Sequence, residues 1–222
     1  MDKGVFYVAY GKAAKDQLTI ALGHLRRVHP TWKVAVVSDE RPVCRQGFAP
    51  PMWIQHKDTG GGVRDIKLKM YELSPFKNTL YMDVDTRLRY SIAAGWDMLA
   101  DGWEMLVRPT NRIEDKVFHH IDQLANQVGE RAFTLEALGG FPCISYQGGA
   151  MWFRKCERVK AFFDLWQQEW RQFAEQDQAA LMRALRKVPV RIWTLSRDWN
   201  GGCLLGHYHG HARRTGLKGG IN

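Results

Sequence analysis

The chain has 222 residues, 45% of them hydrophobic, with a formal net charge of +9 and a pI near 9.5. That size supports one sizeable core and argues against a second full domain. The basic balance points to an anionic partner such as a nucleotide, a phosphate or an acidic glycan. The charge is spread along the chain rather than blocked, which argues against a nucleic-acid stripe.

In chain order, "GVFYVAY" (4–10) is rich in β-branched and aromatic residues and predicts a buried strand. "KDQLTIALGHLRRVHP" places Leu18, Ile20, Ala21, Leu22 and Leu25 near helical spacing and stops at Pro30. "KVAVVSDE" (33–40) and "PMWIQH" (51–56) predict two more strands. "RDIKLKMYELSPF" predicts one helix ending before Pro75, and "NTLYMDVD" a fourth strand. "WEMLVRP" (103–109) predicts a further strand, residues 114–127 a helix, and "CISYQGGAMWFRK" (143–155) a glycine pair followed by a strand. "ERVKAFFDLWQQEWRQF" is the clearest helix, with Val159, Phe162, Phe163, Trp166, Trp170 and Phe173 on one face. "DQAALMRALRKV" predicts another, with Asp177 at its N-cap. "VRIWTL" is a late strand, and the end of the chain is polar, basic and glycine-rich. Strands alternating with helices predict an α/β fold built from βαβ units on a mostly parallel central sheet.

Cys44, Cys143, Cys156 and Cys203 are far apart and form no C-x-x-C pair, so free buried thiols in a reducing compartment are expected. "MDKGVFYVAYG" lacks the pattern of a signal peptide. No run of about 18 apolar residues predicts a membrane-spanning helix. The expected compartment is the cytoplasm, with peripheral contact at a membrane left open.

"NTLYMDVDTRL" (78–88) runs apolar and then places Asp83 and Asp85 at a strand end. In an open α/β sheet, ligands bind beyond the carboxyl ends of strands. Residues two apart on extended chain face one way, so both carboxylates would meet one ligand. Close carboxylates repel and resist leaving water, which calls for a cation between them. Oxygen ligands suit Mg²⁺ or Mn²⁺, and an added imidazole favours Mn²⁺. A D-x-D alone is a weak signal, since a solvated turn explains it equally well. His207, His209 and His211 in "HYHGH" allow three readings: a zinc site, a solvated loop, or one histidine joining the aspartates on a shared metal.

The segment "IKLKMYELSPFKNTLYMDVDTRL" resembles that of GT-A fold glycosyltransferases in which a helix leads into a strand ending in D-x-D-T. It is most similar to the retaining, glycogenin-like family that also holds bacterial lipopolysaccharide galactosyltransferases. "YQGGAMWF", "EQDQAALMRAL" and "HYHGHARR" resemble that family's N-S-G strand, D-Q helix start and late H-x-x-G-x-x-K motif, in the family's order. "VFYVAYG" resembles its nucleotide-binding start. Together these span residues 4 to about 214, which would form one GT-A domain followed by a basic, glycine-rich tail (215–222).

The resemblance implies roles position by position. Asp83, Asp85 and His207 would hold the metal, with Asp83 also touching the nucleotide. Ala9 and Tyr10 would meet the base and Lys67 the donor. Gly210 would let the backbone approach the diphosphate, and Arg213 would stand where the family has its diphosphate lysine. Gln147, Asp177 and Gln178 would line the donor sugar near the anomeric carbon. Gln147-Gly148-Gly149 replaces N-S-G, Arg213 replaces lysine, and the proline-tryptophan that usually follows is missing. The implied activity is transfer of a hexose from a nucleoside-diphosphate sugar, first a UDP-sugar, to a hydroxyl acceptor, with retention and with Mn²⁺ or Mg²⁺. The +9 charge leaves two readings: an anionic acceptor, such as a phosphorylated glycan or a lipopolysaccharide core, or basic residues that merely keep the protein soluble.

Two rivals remain at the level of residues. A nucleotidyltransferase shares strand-end carboxylates and a metal, but the stretch after the first strand, "YGKAAKDQ", has a single glycine rather than a glycine- and basic-rich loop. A basic nucleic-acid- or glycan-binding protein without chemistry would leave both aspartates dispensable. Other residues have plain explanations: Lys67 belongs to a basic helix face with Arg64 and Lys69, the glycine pair marks a bulge, and Trp199 is either a sugar platform or a loop anchor.

Overall fold

The computed structural model describes residues 2–42, 49–57, 62–110, 128–139, 145–175 and 177–208. Apolar runs form strands here because helices cover both faces of the sheet. β1 (Lys3–Val8), β2 (Val34–Ser38), β3 (Met52–Gln55), β4 (Asn78–Met82), β6 (Met105–Pro109), β7 (Tyr146–Arg154) and β8 (Ile192–Thr194) make one seven-stranded sheet, in the order β3-β2-β1-β4-β7-β6-β8. All pairs are parallel except those of β7, which runs antiparallel to both β4 and β6. The fold is therefore α/β with a mixed, mostly parallel sheet. β5 (Thr86–Leu88) and β9 (Leu205–His207) pair antiparallel in a small second sheet.

Strand residues alternate between two cores, as period two requires. One face carries Phe6, Val8, Ala35, Val37, Tyr81, Val107, Met151 and Phe153. It packs against α2 (Gly62–Leu68), α3 (Met70–Leu73), α6 (Glu157–Arg171) and α7 (Asp177–Lys187). The other face carries Val5, Tyr7, Val34, Val36, Leu80, Met82, Leu106 and Trp152, under α1 (Gly11–Val28) and α4 (Ala94–Ala100). In α6, Val159, Phe162, Phe163, Trp166 and Trp170 are all buried, and each such side chain contributes about 1.5–3 kcal/mol through removal from water. α5 (Val128–Ala137) rests against α7 through a buried ionic cluster around Arg183.

Several local expectations shift. Ile20 is largely exposed, because the buried stripe of α1 is Leu18, Ala21, Leu22 and Leu25. The helix before Pro75 is two helices. At the break, the Lys69 N–H reaches back three residues to Ile66 O (3.1 Å), tightening the turn before α3 restarts. The glycine pair lies inside β7 rather than before it. Phe173 lies beyond the end of α6 and is half-buried, with its ring on Phe133. The short strands β5 and β9 and the helices α4 and α5 have no counterpart in the sequence reading. Cys156 is a half-buried free thiol and Cys203 an exposed one, so neither is the buried thiol expected. Cys44, Cys143 and the helix expected at 114–127 lie outside the described residues. Among the described residues, no helix is long and apolar enough to cross a membrane.

The sheet order reverses between β1 and β4, and β7 enters antiparallel beside β4. The start of β7 therefore meets the carboxyl end of β4: Asp83 N–H donates to Gly149 O (2.7 Å). Against β6, the register jumps from Val107 opposite Met151 to Pro109 opposite Tyr146. Residues 147–150 thus stand against Arg108 alone, a bulge that displaces Gln147, Gly148 and Gly149 from the ladder.

Candidate active site

Past β4 the chain does not stay extended. Asp83 to Thr86 is a turn, closed by the Thr86 N–H (3.1 Å) and the Thr86 hydroxyl (2.7 Å), both donating to Asp83 O. The chain then enters β5, which pairs with β9 so that Thr86 lies opposite His207. The Tyr208 N–H donates to Asp85 O (3.2 Å). This small ladder brings residues more than a hundred positions apart to one point. His207 Nε2 lies 3.2 Å from Asp85 Oδ1 and 3.7 Å from Asp83 Oδ2.

The two oxygens of Asp83 have different work. Oδ1 accepts a short hydrogen bond from the Tyr81 hydroxyl (2.5 Å) and lies 3.6 Å from Lys67 Nζ. Oδ2 is the one that faces His207. Burial and the charge of Asp83 push the Tyr81 phenol well above its ordinary pKa, so it stays a donor. Asp83, Asp85 and His207 each offer one ligand atom, and these atoms lie within 4.8 Å of one another. Two carboxylate oxygens and an imidazole nitrogen suit a hard or borderline divalent cation. Gly149 also fits that use: a Cβ there would lie 2.0 Å from His207 Cε1, so glycine leaves the space that the ring fills.

Lys67 comes from α2 and points inward, its side chain only 13% exposed, so the solvated-face explanation does not hold. Its Nζ lies 3.0 Å from Asp177 Oδ2. Burial alone would lower the Lys67 pKa, but the neighbouring Asp177 and Asp83 outweigh it and hold it above its ordinary value. Asp177 is likewise buried, yet Lys67 keeps its carboxyl below the usual carboxylate range. Asp177 is the first residue of α7, and its side chain faces Lys67. Its carbonyl accepts from Trp166 Nε1 (2.8 Å). Gly148 leaves room for this pair, since a Cβ there would lie 3.2 Å from Lys67 Nζ.

Gln147 Oε1 accepts from Arg108 Nη1 (3.0 Å), and Gln178 Nε2 donates to Tyr146 O (3.3 Å). Arg64, Lys67, Asp83, Asp85, Asp177 and His207 line one cleft of about 540 Å³, together with Gln147, Gly148, Gly149 and Gln178. Of the residues singled out from sequence, the cleft gathers Lys67, Asp83, Asp85, Gln147, Asp177, Gln178 and His207. Ala9 and Tyr10 stand apart from its lining, at the carboxyl end of β1, where the Tyr10 hydroxyl donates to His56 O (2.8 Å). Gly210, Arg213, His209 and His211 lie outside the described residues. Trp199 is a loop anchor, edge-on to Trp152 at 5.4 Å.

Sequence reasoning missed Tyr81, Arg108 and Asn200. Tyr81 was within reach, because it lies two residues before Asp83 near the end of the same apolar run. Arg108 meets the site through the sheet and Asn200 through the turn at 197–199, and neither carried a local signal.

No protein-family model matches the chain, and no curated protein sequence does. Solved structures do. The galactosyltransferase LgtC, in a complex with donor and acceptor sugar analogs, superposes with a TM-score of 0.62 at 18% identity, over 90% of this chain and 75% of that one. Mouse xyloside xylosyltransferase 1, in its apo form, superposes with a TM-score of 0.57 at 13% identity, over 90% of this chain and 87% of that one. At such identities the likeness speaks for architecture: over nine-tenths of its length, the chain has the fold of GT-A glycosyltransferases.

Proposed function

We propose that the protein is a metal-dependent glycosyltransferase that moves a hexose from a nucleoside-diphosphate sugar, UDP-hexose first, to a hydroxyl acceptor with retention. One observation carries the reading. Asp83, Asp85 and His207 converge at the carboxyl end of β4, in the same cleft as the buried Lys67–Asp177 pair. Asp83, Asp85 and His207 are the residues that would hold Mn²⁺ or Mg²⁺. When bound, the cation would neutralise charge growing on the leaving diphosphate.

The other roles follow from the chain's own groups. Lys67 is held charged beside both Asp83 and Asp177, so it stabilises negative charge on the donor. Asp177 is held ionised, so it accepts hydrogen bonds from sugar hydroxyls and does not serve as a proton donor. Its pairing to Lys67 at 3.0 Å also makes it a poor nucleophile. Retention then proceeds by front-side attack, with the leaving phosphate taking the acceptor's proton. Gln147 has its carbonyl oxygen on Arg108, which leaves its N–H donors for the sugar. Gln178 flanks the same wall. Ala9 and Tyr10 at the end of β1 would meet the base, and Gly210 with Arg213 would approach the diphosphate. Residues 1–214 would form the catalytic domain, and 215–222 a basic tail.

The test is a donor screen: nucleotide sugars with Mn²⁺, scoring both nucleoside diphosphate and pyrophosphate. Release of nucleoside diphosphate with one sugar is expected. Pyrophosphate release would make the protein a nucleotidyltransferase. No turnover with any donor, with Asp83 and Asp85 dispensable for ligand binding, would make it a binding protein.

A further inference from the structure

Asn200 follows the 3-10 turn Arg197–Trp199 and is 1% exposed, directly behind His207. Its Oδ1 lies 3.0 Å from His207 Nδ1. The other ring nitrogen, Nε2, faces Asp85 and Asp83. We propose that Asn200 is a positioning residue for the metal site: its side-chain oxygen takes the Nδ1–H of His207, fixes the ring, and leaves Nε2 as the ligand atom. The inference rests on the metal-site reading given above.

A neutral imidazole has one N–H and one lone pair, and only the nitrogen with the lone pair ligates. The partner of the second nitrogen therefore decides which one meets the metal. An asparagine carries both kinds of partner. With its oxygen towards Nδ1, the proton stays there and Nε2 is open to the cation. With its NH₂ towards Nδ1, the proton is forced to Nε2 and an N–H points at the carboxylates.

The backbone that carries this carboxamide is held from behind. Arg108 Nη1 donates to Asn200 O (2.7 Å) and to Gln147 Oε1 (3.0 Å). The Asn200 N–H donates to Arg197 O (3.2 Å). Trp199, one residue before, is fixed on Trp152. A single guanidinium nitrogen thus ties Gln147 on the cleft wall to the asparagine behind the metal ligand. Burial, and then the nearby Arg197, hold the Arg108 pKa below its ordinary value; a guanidinium remains charged even so, and these hydrogen bonds persist across working pH.

The test measures Mn²⁺ affinity by electron paramagnetic resonance for wild type, Asn200→Asp and Asn200→Leu, with thermal unfolding of each metal-free protein. Loss of a partner behind a metal-bound histidine costs about 10–100-fold in affinity. Asn200→Leu is expected to show that loss, while Asn200→Asp, which keeps an oxygen acceptor, stays near wild type. A residue that merely fills space would change affinity in step with melting temperature in both variants. In addition, ¹⁵N NMR of the Zn²⁺-loaded wild type is expected to place the remaining His207 ring proton on Nδ1. This readout needs no variant and stands even if Asn200→Leu fails to fold. A proton on Nε2, an Asn200→Leu affinity equal to wild type, or an equal loss in Asn200→Asp overturns the assignment. A wild-type protein that takes up neither Mn²⁺ nor Zn²⁺ overturns the metal site itself, and the assignment with it.

Discussion

Gly149→Ala is the most economical perturbation of the candidate metal site. The added Cβ would lie 2.0 Å from His207 Cε1, 2.7 Å from Nδ1 and 3.0 Å from Nε2. Ordinary contact begins at 3.4 Å, so the ring must retreat by about 1.4 Å from its nearest approach. A metal–imidazole bond is only about 2.0–2.1 Å long, and a retreat of that size takes the ligand out of the coordination shell. Losing one of three protein ligands predicts a fall in Mn²⁺ affinity of at least the 10–100-fold seen when a ligand's support is removed. The fold should survive, because alanine suits a strand better than glycine. Gly148→Ala is the control, since its Cβ would meet the end of the flexible Lys67 side chain at 3.2 Å. The assay is Mn²⁺ titration by calorimetry beside thermal unfolding. Gly149→Ala with wild-type Mn²⁺ affinity and wild-type melting temperature would refute the claim that the glycine makes room for a ligating His207.

Three further outcomes are expected. Lys67→Met leaves Asp177 buried without its ion-pair partner and should cost about 3 kcal/mol in urea unfolding, whereas Lys67→Met/Asp177→Leu recovers most of it. The sign with pH follows from both shifts: the depressed Asp177 stabilises above its ordinary pKa of about 3.9 and loses this as pH falls, while the raised Lys67 stabilises below about 10.4 and loses it as pH rises. A pH–stability curve unchanged at both limbs in the double variant would contradict that. Arg183 is fully buried, bonded to Glu169 (2.9 Å), Glu130 (3.2 Å) and Thr134 (2.6 Å), with Phe133 and Phe173 each 5.4 Å from its guanidinium carbon. Arg183→Met strands the buried carboxylate of Glu130 and leaves Glu169 to Lys187 and Gln172; it should cost about 3 kcal/mol, so a loss below about 1 kcal/mol would show that the cluster does not hold α5 to α7. If the acceptor is anionic, its KM should rise with salt, because exposed charges are screened over about 8 Å at physiological ionic strength; a flat KM, or a neutral best acceptor, would remove charge from acceptor choice.

The strand-and-helix alternation was legible because each element has its own apolar period. α6 shows its buried face in sequence, and β1 and β4 show theirs. The candidate site was legible only in part. Asp83 and Asp85 stand out as carboxylates where an apolar strand ends. Their convergence is not strand alternation, however, because a turn at 83–86 replaces the extended chain. His207 was reached through motif order, and it arrives through the β5–β9 ladder, a pair too short to leave a periodic signal. The antiparallel direction of β7 and the bulge opposite Arg108 are properties of the assembled sheet. They explain why Gln147 meets Arg108, and the turn at 197–199 brings Asn200 to the same guanidinium, although nothing local in the sequence joins the three.

The central claim is that a divalent cation on Asp83, Asp85 and His207 anchors the diphosphate of a nucleotide sugar. Calorimetric titration of UDP-galactose and UDP-glucose into the protein, with Mn²⁺ and again with excess chelator, tests it most directly, with Asp85→Ala measured alongside. The account predicts donor binding that appears with Mn²⁺, vanishes with chelator, and is absent from Asp85→Ala although that variant melts like wild type. Equal donor affinity with and without chelator, or wild-type Mn²⁺-dependent binding in Asp85→Ala, would contradict it.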